Sequence, residues 1–556
     1  MIKKLYLPIV ALLIVALSSC GKKGELTADC FTTNPEVLEA VAGKVPVTIN
    51  GRFPEKFLKK KASVKVIPVL KWNGGEVEGQ PAVFQGEKVQ GNAQTISYKV
   101  GGNYTMKAVF DYQPEMAKSE LYLRFKIMKG LDEAKGKMLP EIKIADGVIS
   151  TAELATVKSA NPSYAEDAFQ RIIKQAEEAN IMFLIQQAGL RSSQINSEDM
   201  KNLEAKIKEV DADKKNFKLN NVEVSAYASP DGGVELNDKL AKRREGNAEK
   251  FISRKLKRAK VETAVDAKYT AQDWEGFKKL VEESNLQDKD LILRVLSMYE
   301  DPEQREVEIK NISAVYKQLA DNILPQLRRA RLTANYEIIG RSDAEINEAV
   351  DTDAKVLSVE EILYAATLTD DNARKAMIFN EAVKNFPNDY RAYNNLGEMA
   401  YAEGDFAKAE NFFKQAAAKD AAAAEVNANL GLIELLKGNV DAAETYLGKA
   451  DGADKLGEAL GILFIKQGQY PRACNAFGEA KTNAAAQAQI LAKDYNKAMR
   501  TLDAVKNADA MTYYLKAVVG ARTNNADIVK SNLKKAVSMD SEMKAMAEND
   551  IEFVKF

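Results

Sequence analysis

Apolar and polar positions follow three different rhythms along this chain. From about Thr27 to Gly147 they alternate every second residue, with Val64, Val66 and Leu70 set against Ser63 and Lys65. Leu121, Leu123, Phe125 and Ile127 alternate in the same way with Tyr122, Arg124 and Lys126. A period of two turns one side of an extended chain to a core and the other to water, so these runs predict half-buried strands. Asn73-Gly74-Gly75 and Gly101-Gly102-Asn103 supply turn chemistry between runs, and no long helical period intervenes. Residues 27–147 are therefore expected to form a β-sandwich of immunoglobulin-like size. From about Ala179 to Arg341 the rhythm alternates: strands are expected at 181–187, 222–228, 264–269 and 331–338, and helices at 196–210 and 237–256. Further helical segments around 274–280, 291–296 and 309–319 read as an insertion before the last strand. Residues 356–556 are almost pure helix, rich in alanine and poor in proline. A connecting helix over 148–178 and an acidic linker over 342–355, with Asp343, Glu345, Glu348, Asp351 and Asp353, complete a multidomain α+β chain.

The helical third repeats itself. Leu396-Gly397, Gly404, Ala409, Phe413 and Ala416 mark small or apolar positions on two helices, and Leu430-Gly431, Gly438 and Ala443 recur 34 residues after the first four. A degenerate copy, Leu460-Gly461, Gly468 and Ala473, follows 30 residues later. Phe379, Ala382 and Pro387 match the end of an earlier unit, and worn copies run over 494–502 and 513–537. This period and pattern resemble the tetratricopeptide repeat. The resemblance implies four to six helix pairs stacked into a superhelix, with these residues in its core and a groove suited to peptides or protein partners.

At the N-terminus Lys3 and Lys4 precede an apolar run over 5–17, broken only by Pro8 and closed by Leu17-Ser18-Ser19-Cys20. The run is too short for a membrane span, which needs about 20 apolar residues, and reads as a secretory signal. Its ending resembles the bacterial lipobox. That resemblance implies removal of residues 1–19, lipidation of Cys20, and a tether over 20–26 that anchors the chain to the outer membrane. Lys22 and Lys23 stand where some surface lipoproteins carry an acidic run, which favours the periplasmic face.

Composition removes most chemistry. There is no histidine, which excludes Ser-His-Asp and Cys-His catalysis, histidine zinc sites and the usual general base. With 79 basic and 80 acidic residues the net charge is −1, so no global field favours nucleic acid. Besides Cys20 only Cys30 and Cys474 remain, expected as separate thiols, the second a small buried apolar residue. Residues 130–137 superficially resemble a phosphate loop, but the glycines are misplaced and no Ser or Thr follows Lys137. Lys59-Lys60-Lys61 reads as a solvated turn. No enzyme activity and no cofactor is expected.

One further motif carries chemistry. Ala226-Tyr227-Ala228-Ser229-Pro230-Asp231-Gly232, then Asn237 and Leu240-Ala241-Lys242-Arg243-Arg244, resembles the core of the OmpA-like C-terminal domain, placed over 179–341. In that family an Asp on the turn, and an Asn and Arg on the following helix, bind the carboxylate and amine of diaminopimelate in peptidoglycan. The pairing is chemically sensible, since an Arg fork holds a carboxylate and an Asp balances an ammonium. Asn237 and Arg244 match; Ser229 stands where the family has its Asp, and Asp231 lies two residues later on the same turn. A serine cannot balance an ammonium, so the resemblance implies weakened or absent wall binding. Asn237 as a helix cap and Arg244 as an ion-pair partner is the structural alternative. Arg328, Arg329 and Arg331 close the insertion, facing either a carboxylate partner or a strand edge. The sequence thus describes a periplasm-facing outer-membrane lipoprotein acting as a scaffold for envelope proteins through its repeat groove, or alternatively a peptidoglycan tether.

Overall fold

The computed structural model describes residues 24–158, 160–286, 288–311 and 313–556; the signal segment and Cys20 lie outside these. Residues up to 166 together with 371–556 form one compact unit, and 167–370 form a second. In chain order, the second unit is an insertion into the first.

The expected alternation builds two sheets at the start of the first unit. β1 (Phe31–Asn34), β3 (Lys44–Phe53) and β8 (Gly102–Asp111) form a small antiparallel sheet. The larger sheet runs β2 (Val37–Glu39), β11 (Ile142–Ile149), β9 (Ser119–Lys129), β4 (Ala62–Trp72), β6 (Ala82–Gly86) and β7 (Gln94–Ile96). β10 (Asp132–Met138) pairs with β9, and β5 (Gly75–Glu78) with β4. Val45, Val47, Ile49 and Phe53 from one sheet and Val64, Val66, Leu121, Leu123 and Phe125 from the other share one core. Cys30 is buried there, Cys474 is half-buried beside the repeat core, and no disulfide joins them.

The connecting helix expected over 148–178 is corrected. β11 runs to Ile149, a 3-10 turn covers Thr151–Leu154, and the described residues from there to β12 (Ile172–Met182) form no helix. Pro162 denies a helix its hydrogen bond. Ala152, Ala155, Val157 and Ala160 bury themselves against the helical repeats instead of lining a helix of their own.

In the second unit β12, β15 (Arg329–Ile339), β13 (Phe217–Tyr227) and β14 (Ala264–Thr270) form a sheet in that order, antiparallel except between β13 and β14. The first of these strands lies several residues before the expected 181–187. Its N-terminal half is exposed and mixes Ile172 and Ile173 with Lys174, Gln175 and Glu178, so no burial alternation marks it; continuous pairing from Ile172↔Ile339 to Met182↔Arg329 defines it. Helices α1 (Ser192–Ile195), α2 (Glu198–Ala212) and α3 (Val234–Ala259) follow, and α2 and α3 bury Leu203, Ile207, Phe251 and Ile252 against Val222, Val224, Leu332 and Ala334. The insertion contains α4 (Trp274–Glu283), α5 (Lys289–Met298), α6 (Pro302–Asn311), α7 (Ser313–Asn322) and α8 (Leu324–Leu327), which share a separate small core. The expected acidic linker is also corrected: Ser342 and Glu345 form a capping box that starts α9 (Asp343–Thr352), which buries Ile346 and Val350. Its acidic residues sit on the outer face of a helix. α10 (Val359–Thr367) ends the unit.

The remainder of the first unit is helical. After α11 (Asn372–Asn385) the described residues form five helix pairs: α12 (Tyr390–Ala402) with α13 (Phe406–Lys419), α14 (Ala424–Leu436) with α15 (Val440–Leu447), α16 (Leu456–Lys466) with α17 (Tyr470–Phe477), α18 (Asn483–Leu491) with α19 (Tyr495–Asp503), and α20 (Ala510–Arg522) with α21 (Ala526–Met539). A short α22 (Glu542–Glu548) follows. The repeated glycines close the pairs. A β-carbon added at Gly397 would stand 2.5 Å from the Phe413 ring, at Gly431 2.6 Å from Leu447, and at Gly461 2.4 Å from the Phe477 ring. All three bulky partners are buried.

Overpacking a full core shifts backbone. Gly431→Val is therefore expected to lower the stability of the repeats by about 1–3 kcal/mol in urea unfolding followed by far-ultraviolet circular dichroism. A loss under about 0.5 kcal/mol, typical of an open surface site, contradicts this packing.

Candidate functional site

The second unit gathers the residues singled out by the motif around the end of β13. Asn237, in the first turn of α3, is buried and donates through Nδ2 to the carbonyls of Ser229 at 2.9 Å and Gly232 at 2.7 Å. It thereby folds the 229–232 turn back onto the helix. Ser229 donates a short hydrogen bond to Asp231. Arg328, between α8 and β15, closes the group: its Nη2 lies 3.0 Å from Asp231 and its Nε donates to Ser229 Oγ at 3.2 Å.

Arg244 lies on the same helix but is fully buried. Its Nε donates to the Gln187 carbonyl at 3.0 Å, Nη1 to Tyr227 at 2.8 Å, and Nη2 to Leu184 at 3.3 Å. The Phe183 ring stacks 5.0 Å from the guanidinium. Burial, and then the like charge of Arg328, pull its pKa down to about 10. The guanidinium fork thus ties the segment after β12 to the end of β13. The other two arginines also meet the chain's own groups: Arg329 pairs with Asp273 at 3.0 Å and lies over the Tyr227 ring, while Arg331 donates to the Tyr227 hydroxyl.

A second site lies in the first unit and was not anticipated. Residues 151–158 and 160–166 cross the face lined by α18, α16, α14 and α12, in the order opposite to the repeats. Gln487 of α18 donates to the Thr151 carbonyl at 2.6 Å, and Glu458 of α16 accepts from the Asn161 amide at 3.1 Å. Asn429 of α14 accepts from the Ser163 amide at 2.7 Å and donates to the carbonyl of the same residue at 2.8 Å. Asn395 of α12 does the same for Ala165, at 2.9 Å in both directions. Asn394 adds a donor to the Ser163 carbonyl at 3.0 Å and another to Asn395.

Asn394, Asn395 and Asn429 have no exposed surface. An amide has one acceptor and two donors, so it can complete both backbone groups of one residue, as a neighbouring strand does. Asn395 and Asn429 stand one 34-residue period apart, and the residues they hold stand two apart. Two residues of extended chain span about 7 Å, a step that side chains from helices packed roughly 8–10 Å apart can follow. Ser163 and Ala165 are buried between the helices, and Tyr164 between them points toward Phe379 with ring centroids 6.4 Å apart. Burial raises the pKa of the Tyr401 phenol, keeping it a donor to the Val157 carbonyl.

Of the positions that sequence reasoning assigned to the repeat core, Ala409, Phe413, Ala416, Ala443 and Ala473 are buried, whereas Pro387, Gly404 and Gly438 are exposed, the two glycines at positive φ in the turns between helices. The asparagine before two of the three Leu-Gly pairs is the strand-holding residue it passed over. The signal was present as Asn395-Leu396-Gly397 and Asn429-Leu430-Gly431. Among the described residues no group of three or more His, Cys, Asp or Glu is placed to hold a metal, and no helix is long and apolar enough to cross a membrane.

A family model described as tetratricopeptide repeat matches residues 372–424 and 400–455. With the helix pairs and their glycine contacts, this establishes that the chain carries tetratricopeptide repeats. Solved structures similar to it include a tetratricopeptide repeat protein from Parabacteroides merdae, 15% identical, with 37% of this chain and 96% of that one covered and a TM-score of 0.26. Pseudomonas aeruginosa pilF is 16% identical over 36% of this chain and 99% of its own, with a TM-score of 0.28. PilW, a type IV pilus biogenesis factor, is 17% identical over 35% and 99%, with a TM-score of 0.29. No curated protein sequence matches.

Each buried carbonyl left without a donor costs about 1–3 kcal/mol. Arg244→Ala bares three, so it is expected to destabilise the second unit by more than ~2 kcal/mol in thermal unfolding. Wild-type stability with loss of pelleting on cell-wall sacculi is the opposite result, and makes Arg244 a ligand residue. Asn395→Asp keeps the acceptor for the Ala165 amide but sets a carboxylate against the Ala165 carbonyl. Its expected cost is about 1–3 kcal/mol, larger at pH 8 than at pH 4, where protonation restores a donor.

Proposed function

We propose that this chain is a non-enzymatic scaffold of the bacterial envelope, anchored to the outer membrane through lipidated Cys20 and facing the periplasm, that docks protein partners on its repeats. The observation that carries the reading is that the repeat face already holds polypeptide: Asn395 and Asn429 grip an extended segment by its backbone. A surface that completes buried amide hydrogen bonds to a strand is chemically suited to protein ligands. The lipobox-like Leu17-Ser18-Ser19-Cys20 supports the anchor, Lys22 and Lys23 support the periplasmic face, and the lack of histidine supports a binding role.

The alternative, a peptidoglycan tether through Ser229, Asp231, Asn237 and Arg244, draws less support. A diaminopimelate carboxylate would have to displace three backbone carbonyls from Arg244, and an ammonium would have to displace Arg328 from Asp231. Both exchanges strip buried charges of existing partners.

Two fractionations test the scaffold reading. Cys20→Ala should move the chain from the outer-membrane fraction to the soluble periplasm. In mild detergent the parent should bring down an envelope protein in stoichiometric amount, retained by a folded Arg244 variant and lost in the Asn395→Ala, Asn429→Ala double variant. A chain that purifies alone from membranes, or that leaves with sacculi, contradicts it.

A further inference from the structure

We propose that β8 is a self-docking edge, through which two copies of this chain join their small sheets antiparallel about a twofold axis at Val109. The inference goes beyond the scaffold reading and does not rest on it. β8 ends its sheet, and among the described residues no strand pairs with its far side. The direction of its free backbone groups follows from the register. The Tyr112 amide donates to the Gly43 carbonyl, so along β8 the even-numbered residues are those that bond β3. The odd-numbered residues turn their N–H and C=O outward, and the Asn103 carbonyl accordingly accepts from Gln94 Nε2 at 2.8 Å. Thr105, Lys107, Val109 and Asp111 therefore present donors and acceptors that no described strand takes up, and all four residues are exposed. Such a row is a template for another strand.

The side chains select a second copy and fix its register. Two β8 strands bring their free groups together only when odd-numbered residues face odd-numbered ones, which centres the axis on a residue. An axis at Lys107 sets that cation against itself. Axes at Ala108 or Phe110 face both charges with neutral residues. With the axis at Val109, Lys107 of each copy faces Asp111 of the other, and opposite charges across strands attract. Lys107 has no ion-pair partner among the described residues, whereas Asp111 meets Lys44 on its own β3 and keeps 80% of its side chain exposed for a second ammonium. Val109 itself is 58% exposed, and Pro46, its exposed neighbour on β3, lies beyond the end of β1. In the dimer Pro46 and Val109 of both copies form one apolar row across four strands, whose burial adds to the backbone bonds. A lysine in mid-edge is also a device that keeps strands apart, and that rival reading requires a monomer.

The test is sedimentation of the full chain in mild detergent, beside Lys107→Asp and the exchange variant Lys107→Asp, Asp111→Lys. One strand pair is a small interface, so the parent is expected to dimerise at concentrations on the order of 10 μM. Lys107→Asp sets like charges in both facing pairs and should weaken the dimer about tenfold, while the exchange variant should return to within about threefold of the parent. Both positions are exposed, so the fold is expected to tolerate the changes. The register is read separately by oxidation with diamide. Val109→Cys should close a disulfide between copies, because facing residues stand about 5.5 Å apart at their α-carbons. Thr105→Cys, which faces Gln113 of the second copy, should not, and neither should the parent. A parent that stays monomeric to about 100 μM overturns the proposal, leaving Lys107 as a guard or the edge to a strand of a different protein. A dimer indifferent to Lys107→Asp, or one that cross-links through Thr105→Cys as readily as through Val109→Cys, also overturns it.

Discussion

A buried amide must find partners, and in this protein that requirement organises the first unit. Asn395 and Asn429 sit in the interior of a helical repeat where an apolar residue would be the ordinary choice. Each makes two hydrogen bonds to one residue of a crossing strand, worth about 0.5–1.5 kcal/mol apiece when formed and more than that when one partner is missing. The repeats and the strand are therefore parts of one core, and Ala152, Ala155, Val157 and Ala160 complete it with apolar contacts.

This constraint explains the order of the chain. β11 of the sandwich leads directly into the strand, so the sandwich and the repeats are joined by a segment that both help to hold. A polar cluster strengthens the junction: Thr151 donates to Glu552, and Arg522 bridges Glu552 at 2.7 Å and Glu39 at 2.9 Å. Arg522 and Glu552 are largely buried, so this triad is sensitive to loss of any one member. The second unit begins where the strand leaves the repeats and ends where α11 starts, which is how a separately folded sheet can be inserted without interrupting the Asn395–Asn429 ladder.

Periodicity made most of this architecture readable. The sandwich strands, α2, α3, β13, β14 and the repeat helices all follow apolar patterns that burial enforces. The misses have a common cause, in that their structure is decided by distant partners. β12 is exposed over its first half and becomes a strand by pairing with β15, 167 positions away at Ile172↔Ile339 and 151 at Asn180↔Arg331. The supposed acidic linker is a capped helix whose Ile346 and Val350 were outweighed by its surface charge. Arg244 was visible as a motif residue, yet its burial depends on carbonyls from Leu184 and Gln187. The ladder asparagines repeat with the 34-residue period, but a polar residue on a helix reads by default as solvent-facing.

The most direct measurement of the central claim is amide hydrogen exchange at Ser163 and Ala165 in the unmodified chain, beside the Asn395→Ala, Asn429→Ala variant. The ladder predicts that both amides are strongly protected in the parent and lose that protection in the variant, while helices α12 to α15 stay protected. Rapid exchange at Ser163 and Ala165 in the parent would mean that the strand does not rest on the ladder.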